Sequence, residues 1–63
     1  MSIYDWMHVH GFSEKSDAPL YEYAERWTFN NQFMEMDDPA AFFATSAGVT
    51  EYLATGQVTP EDD

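Results

Sequence analysis

The sequence predicts a small α+β domain, an antiparallel sheet of two or three strands packed on a C-terminal helix. Three observations predict it. The N-terminal run is rich in strand formers, an aromatic segment alternates about an Asn-Asn pair, and a later apolar run is bracketed by Asp-Pro and Gly. An all-α three-helix bundle is the alternative.

Residues 2–10, Ser-Ile-Tyr-Asp-Trp-Met-His-Val-His, read as a strand. Side chains alternate along a strand, so Tyr4, Trp6, His8 and His10 share one face and Ile3, Asp5, Met7 and Val9 the other. The rival is a short helix with Ser2 as N-cap, Asp5 at the acid position of a capping box and Gly11 at the end. Residues 11–19 gather Gly, Ser, Asp and Pro and read as a loop.

Residues 20–37 form the hinge of the prediction. As one helix they place Leu20, Tyr23, Ala24, Trp27 and Met34 on one side and Phe29, Phe33 and Met36 nearly opposite. A helix apolar on both sides must be buried all round. A hairpin turning at Asn30-Asn31 avoids this, since Asn tolerates the positive φ of a tight turn. It sets Arg26 opposite Glu35 and collects Tyr21, Tyr23, Trp27, Phe29, Met34 and Met36 on one face. A helix from Pro19 to about Phe29 is the competing reading, because Leu-Tyr-Glu-Tyr-Ala-Glu-Arg-Trp contains good helix formers.

Residues 38–56 read as helix. Asp38 is a good N-cap, Pro39 fits the first helical position and Gly56 the position after the end. Phe42, Val49 and Leu53, flanked by Phe43, Thr50 and Ala54, give an apolar stripe expected to be core, with Gly48 as a point where the helix divides. The domain is expected to occupy residues 1–56, with 57–63 as a flexible acidic tail.

Composition narrows the function. Twelve Asp and Glu stand against Lys15 and Arg26, a formal net charge of −10. Disordered acidic chains are poor in aromatics, whereas this one has five Phe, four Tyr and two Trp in 63 residues. A folded aromatic core under a negative surface is therefore expected. A domain of this size buries only about 60% of the surface its unfolded chain exposes, leaving little room for a deep substrate pocket. There are no cysteines, which excludes disulfides and thiolate metal sites. No apolar run approaches the roughly 20 residues of a membrane span, and no secretory leader pattern opens the chain. A cytoplasmic protein without a membrane partner is expected.

Catalytic and metal chemistry find little foothold. His8 and His10 share a strand face, but there is no third His and no His-x-x-x-His spacing. Asp37-Asp38 is a paired carboxylate whose second member is already accounted for by helix capping. Ser2, Ser13, Ser16 and Ser46 lie in no nucleophile elbow, and no Gly-rich phosphate loop occurs. No cofactor, bound metal or enzymatic activity is expected. Residues 44–53 resemble the turn and second helix of a helix-turn-helix, yet that helix carries Glu51 and no Lys or Arg. Phosphate contacts supply most of the affinity for DNA, so direct nucleic-acid binding is not expected.

What remains is the charge. In size, acidity and aromatic content the chain resembles the small inhibitors that phages and plasmids direct against host nucleic-acid enzymes. The likeness implies a nucleic-acid mimic whose carboxylates fill phosphate sites on a basic nucleic-acid-binding protein. Glu22, Glu35, Asp37 and Asp38 are the expected carboxylates, joined by Asp5, Asp17 and Glu51. Trp6, Tyr4 and Tyr21 are the expected aromatic anchors. The alternative is a non-catalytic structural or adaptor subunit, docking through an aromatic patch on a larger complex or on a second copy of itself. Plain solubility, or adaptation to high salt, would also account for the acidity.

Overall fold

A computed structural model describes residues 1–31 and 37–59. Among them every regular element is a helix: α1 (Ile3–Val9), α2 (Ala18–Asn31), α3 (Pro39–Ala44) and α4 (Ala47–Thr55). The α+β expectation is thus overturned in favour of an all-α fold, with four helices rather than three.

The N-terminal strand is replaced by α1, for the reasons that made helix its rival. The Ser2 hydroxyl accepts the Asp5 N–H at 3.1 Å, satisfying a donor that the first turn leaves free. At the other end Gly11 adopts φ 84°. There the Gly11 N–H donates to the His8 carbonyl at 3.0 Å and the Phe12 N–H to the Met7 carbonyl at 3.0 Å. These two bonds make a Schellman motif, and the Phe12 ring stacks on Trp6 with centroids 6.1 Å apart, the apolar contact that accompanies such an ending. Helical spacing buries Ile3 and Met7 together and half-buries Trp6.

The predicted hairpin is overturned for residues 20–31, which belong to α2. Leu20, Tyr23, Ala24 and half-buried Trp27 lie at i, i+3, i+4, i+7 and face the core. The objection to a helix was a second apolar stripe. The described helix ends at Asn31, and Phe29 is left 67% exposed rather than buried. The second strand expected in 32–36, with Glu35 opposite Arg26, lies outside the described residues.

The C-terminal helix starts as predicted. The Asp38 carboxylate accepts the Ala41 N–H at 3.3 Å, Pro39 opens α3, and Gly56 closes α4 at φ 78°. It divides at Thr45-Ser46, however, and not at Gly48. The Ser46 hydroxyl accepts the Val49 N–H at 3.2 Å and starts a new helix. This restart changes which side chains face inward. Ala40 and Phe43 are buried from α3, and Gly48, Val49 and Tyr52 from α4. Of the expected core stripe Phe43 and Val49 are buried, while Phe42 is 57% and Leu53 63% exposed.

The helices pack α1 on α2 and α3, and α4 on α2 and α3. Phe43 lies at the centre, wholly inaccessible. Its ring meets Trp27 at 5.5 Å, Trp6 at 5.9 Å and Tyr23 at 5.9 Å between centroids. Each distance falls in the range where aromatic pairs add stabilisation beyond area burial. Val58, in the segment expected to be a tail, packs against this core; residues 60–63 lie outside the described residues. Among the described residues no charged side chain is buried.

One polar tie joins distant parts of the chain. The Tyr52 hydroxyl on α4 donates to the Asp17 carboxylate just before α2. Asp17 also accepts the Ser13 N–H at 2.8 Å. These bonds hold the Asp17 carboxyl below its ordinary pKa, the Tyr52 bond contributing most. In turn Asp17 and burial push the Tyr52 hydroxyl up to about 12. A phenol whose pKa is raised on folding stabilises the fold fully below its unfolded pKa near 10, and that contribution disappears as pH rises through about 12. For Asp17 the sign reverses: its contribution is present above the ordinary carboxylate pKa of ~3.9 and is lost as pH falls through the lowered value. Tyr52→Phe is therefore expected to lower the thermal midpoint at pH 7, with the deficit shrinking between pH 10 and 12. Circular-dichroism melts of both chains across that range check it, and a deficit that persists unchanged at pH 12 would contradict the assignment.

Candidate acidic and aromatic docking surface

The turn after α1 and the loop before α2 bring two tyrosines together. Tyr4 points outward from α1, and Tyr21 from α2 lies beside it, rings 6.3 Å apart and inclined by 23°. Tyr21 is held by its hydroxyl, which donates to the Phe12 carbonyl at 3.3 Å. Tyr4 is 43% exposed.

The loop 13–17 is closed on itself and carries a carboxylate to this pair. The Asp17 N–H donates to the Ser13 carbonyl at 2.7 Å, and the Lys15 N–H to the Ser13 hydroxyl at 3.3 Å. Glu14 then borders the tyrosines. On α2, Ala18, Tyr21, Glu22 and Glu25 fall at i, i+3, i+4, i+7 and so share one face. Together with Tyr4 and Glu14 they line an open groove of about 540 Å³. A second depression of about 370 Å³ lies against the same pair and adds His8, Phe12 and Ser13 to its walls. The groove is negative. Burial first, then the charges of Glu25 and Glu14, raise the pKa of the Tyr4 hydroxyl.

Three of the expected site residues meet here: Tyr4, Tyr21 and Glu22. The others do not line this groove. Asp5 is exposed on the first turn of α1. Asp37 is exposed before α3, and exposed Asp38 caps that helix. Glu51 is exposed on α4, where its carboxylate accepts the Thr59 hydroxyl at 3.4 Å. Asp17 is engaged by Tyr52 and Ser13. Glu35 lies outside the described residues. Trp6 is half-buried against the core and covered by His10, whose ring sits 4.3 Å away. A strand would have put Tyr4 beside Trp6. On a helix their directions differ by about 200°, which sends one ring to the surface and the other inward.

Glu14 and Glu25 were not among the expected residues. Glu25 was legible from the spacing of 18, 21, 22 and 25, given a helix. Glu14 carried no signal, because its place depends on the Ser13–Asp17 bonds.

The same change of element separates His8 from His10. Among the described residues no three His, Asp or Glu side chains are placed to hold a metal ion, and no helix is long and apolar enough to cross a membrane. Compared with known proteins, the chain matches no family model, no curated protein and no solved structure.

Proposed function

We propose that this protein is a non-catalytic, cytoplasmic binding protein that occupies the basic nucleic-acid-binding surface of another protein, acting as a nucleic-acid mimic and inhibitor. The observation that carries this reading is the density of outward-facing carboxylate. Asp5, Glu14, Glu22, Glu25, Asp37, Asp38 and Glu51 are all exposed. The longest dimension is 30 Å and the net charge −10, or one net charge per 3 Å. Duplex DNA carries one per ~1.7 Å of axis, so the protein reaches about half that density in a body small enough to enter a nucleic-acid channel. Charge of this sign repels nucleic acid and accelerates encounter with a basic surface.

The reading is tested by capture from a bacterial lysate at low and high salt. A basic nucleic-acid-binding protein should be retained at low salt, released at high salt, and lose its DNA to this protein in competition. The variant Asp5→Asn/Glu22→Gln/Asp37→Asn/Glu51→Gln should bind that target about tenfold or more weakly, chiefly through a slower on-rate. Undiminished binding by the neutralised variant would sink the proposal.

A second reading, an adaptor or self-associating subunit, is favoured by the exposure of Phe29, Phe42 and Leu53. It requires a complex that is concentration-dependent and insensitive to salt. Sedimentation at two protein concentrations and two salt concentrations separates it from the first.

A further inference from the structure

We infer that the Tyr4–Tyr21 groove is the anchor of this surface and takes an arginine side chain of the basic partner, its guanidinium lying on the exposed tyrosine face and its N–H groups meeting the surrounding glutamates. The inference rests on the proposed function and names the chemistry by which the partner is held.

Three features of the groove converge on this occupant. First, the tyrosine pair presents an aromatic face at the surface, with Tyr4 exposed and Tyr21 fixed behind it by stacking and by its bond to the Phe12 carbonyl. A cation over such a face is attracted by the ring quadrupole, and a guanidinium also stacks, which an ammonium does not. Second, Glu14, Glu22 and Glu25 enter the groove from two directions, the loop and α2. A planar guanidinium has five donors and satisfies several carboxylates at once, whereas an ammonium acts as a point charge. Third, no Lys or Arg lines either depression, so the positive charge complementary to this groove has to come from outside it. An open groove of about 540 Å³ admits such a side chain without rearrangement of the helices.

The anchor also supplies what long-range charge does not. Attraction between exposed charges fades within a Debye length, about 8 Å at physiological salt. Stacking on Tyr4 excludes water locally and is screened less. The surface thus combines a diffuse charge for encounter with one aromatic point for register.

The test uses the full chain and hexa-arginine and hexa-lysine peptides as probes, titrated at low salt and followed by amide chemical shifts. Hexa-arginine is expected to move residues 4, 14, 18, 21, 22 and 25 most and to bind more tightly than hexa-lysine. Tyr4→Leu, which puts a good helix former at an exposed position, should weaken hexa-arginine binding by about 3- to 10-fold and remove the preference for arginine. Glu22→Gln/Glu25→Gln should weaken both peptides. Shifts spread evenly over all exposed acidic residues, or a Tyr4→Leu chain that still prefers arginine, would overturn the anchor. Either result leaves the proposed function standing on its own capture experiment. If that experiment fails while the peptide shifts still centre on the groove, the anchor survives as a general arginine site.

Discussion

Replacing Phe43 by alanine is expected to leave the protein largely unfolded at 25 °C, while the same change at Phe42 should scarcely be felt. Phe43 is inaccessible and its ring meets Trp6, Tyr23 and Trp27, so it joins α1, α2 and α3. Truncating a buried Phe to Ala costs about 3–5 kcal/mol, from lost transfer free energy and from the cavity left behind. The core of a domain this small supplies only about 3–5 kcal/mol of net stability, and self-repulsion among the carboxylates reduces it further. The mutation therefore removes most or all of the margin. Phe42 is 57% exposed, and surface substitutions usually stay within about 0.5 kcal/mol. Far-UV circular dichroism and thermal melts of the two variants decide the matter. If Phe42→Ala proved the more damaging, the register of α3 described above would be wrong.

The second large effect is expected at Gly48, with a sign opposite to what helix propensity predicts. Gly to Ala inside a helix gains up to about 1 kcal/mol from propensity alone. Gly48, however, lies beneath the ring of Tyr23, and a Cβ built there would overlap three of its ring carbons. Tyr23 is buried and packs on Phe43, so the ring cannot swing aside without disturbing the centre of the core. Overpacking of this kind costs about 1–3 kcal/mol, a large share of the stability available. Gly48→Ala should thus lower the urea midpoint clearly. In combination with Tyr23→Leu, which shortens the opposing side chain, the loss should be smaller than the sum of the two single losses, a favourable coupling read from a double-mutant cycle. Strict additivity would show that the ring does not oppose a methyl at position 48.

These two residues also show where reading the sequence stops. Gly48 invited the idea of a break between helices, because glycine is a poor helix former. Its role is instead to admit a ring contributed by α2, and no local pattern contains that. Phe42 and Phe43 are adjacent, and both fit an apolar stripe if 38–56 is one helix. Phe43 and Val49 of that stripe are buried and Phe42 and Leu53 are not, because the helix restarts at Ser46 and the two halves count their inward positions separately.

Asp38, Pro39 and Gly56 act where predicted, and Ser2 and Gly11 act as the rival helix reading of 2–10 placed them, since capping depends on hydrogen bonds within a few residues, whereas the ends at Thr45 and Ser46 were not read. The element between two ends was less secure. Residues 2–10 and 20–31 contain β-branched and aromatic side chains that suit a strand or a buried helix face equally, and the alternation that favoured strand was broken by helical spacing at 3 and 7 and at 20, 23, 24 and 27.

The net charge, the absence of disulfide or thiolate chemistry, and the start of α3 and end of α4 were thus readable along the chain, because residue type or immediate neighbours set them. The packing settled that every regular element among the described residues is a helix, that Phe43 rather than Phe42 is buried, and that Tyr4, Glu14, Tyr21, Glu22 and Glu25 share one groove. Those outcomes depend on which faces of separate helices meet. Burial rewards the arrangement that removes the most apolar surface from water as a whole, and no single segment carries that sum.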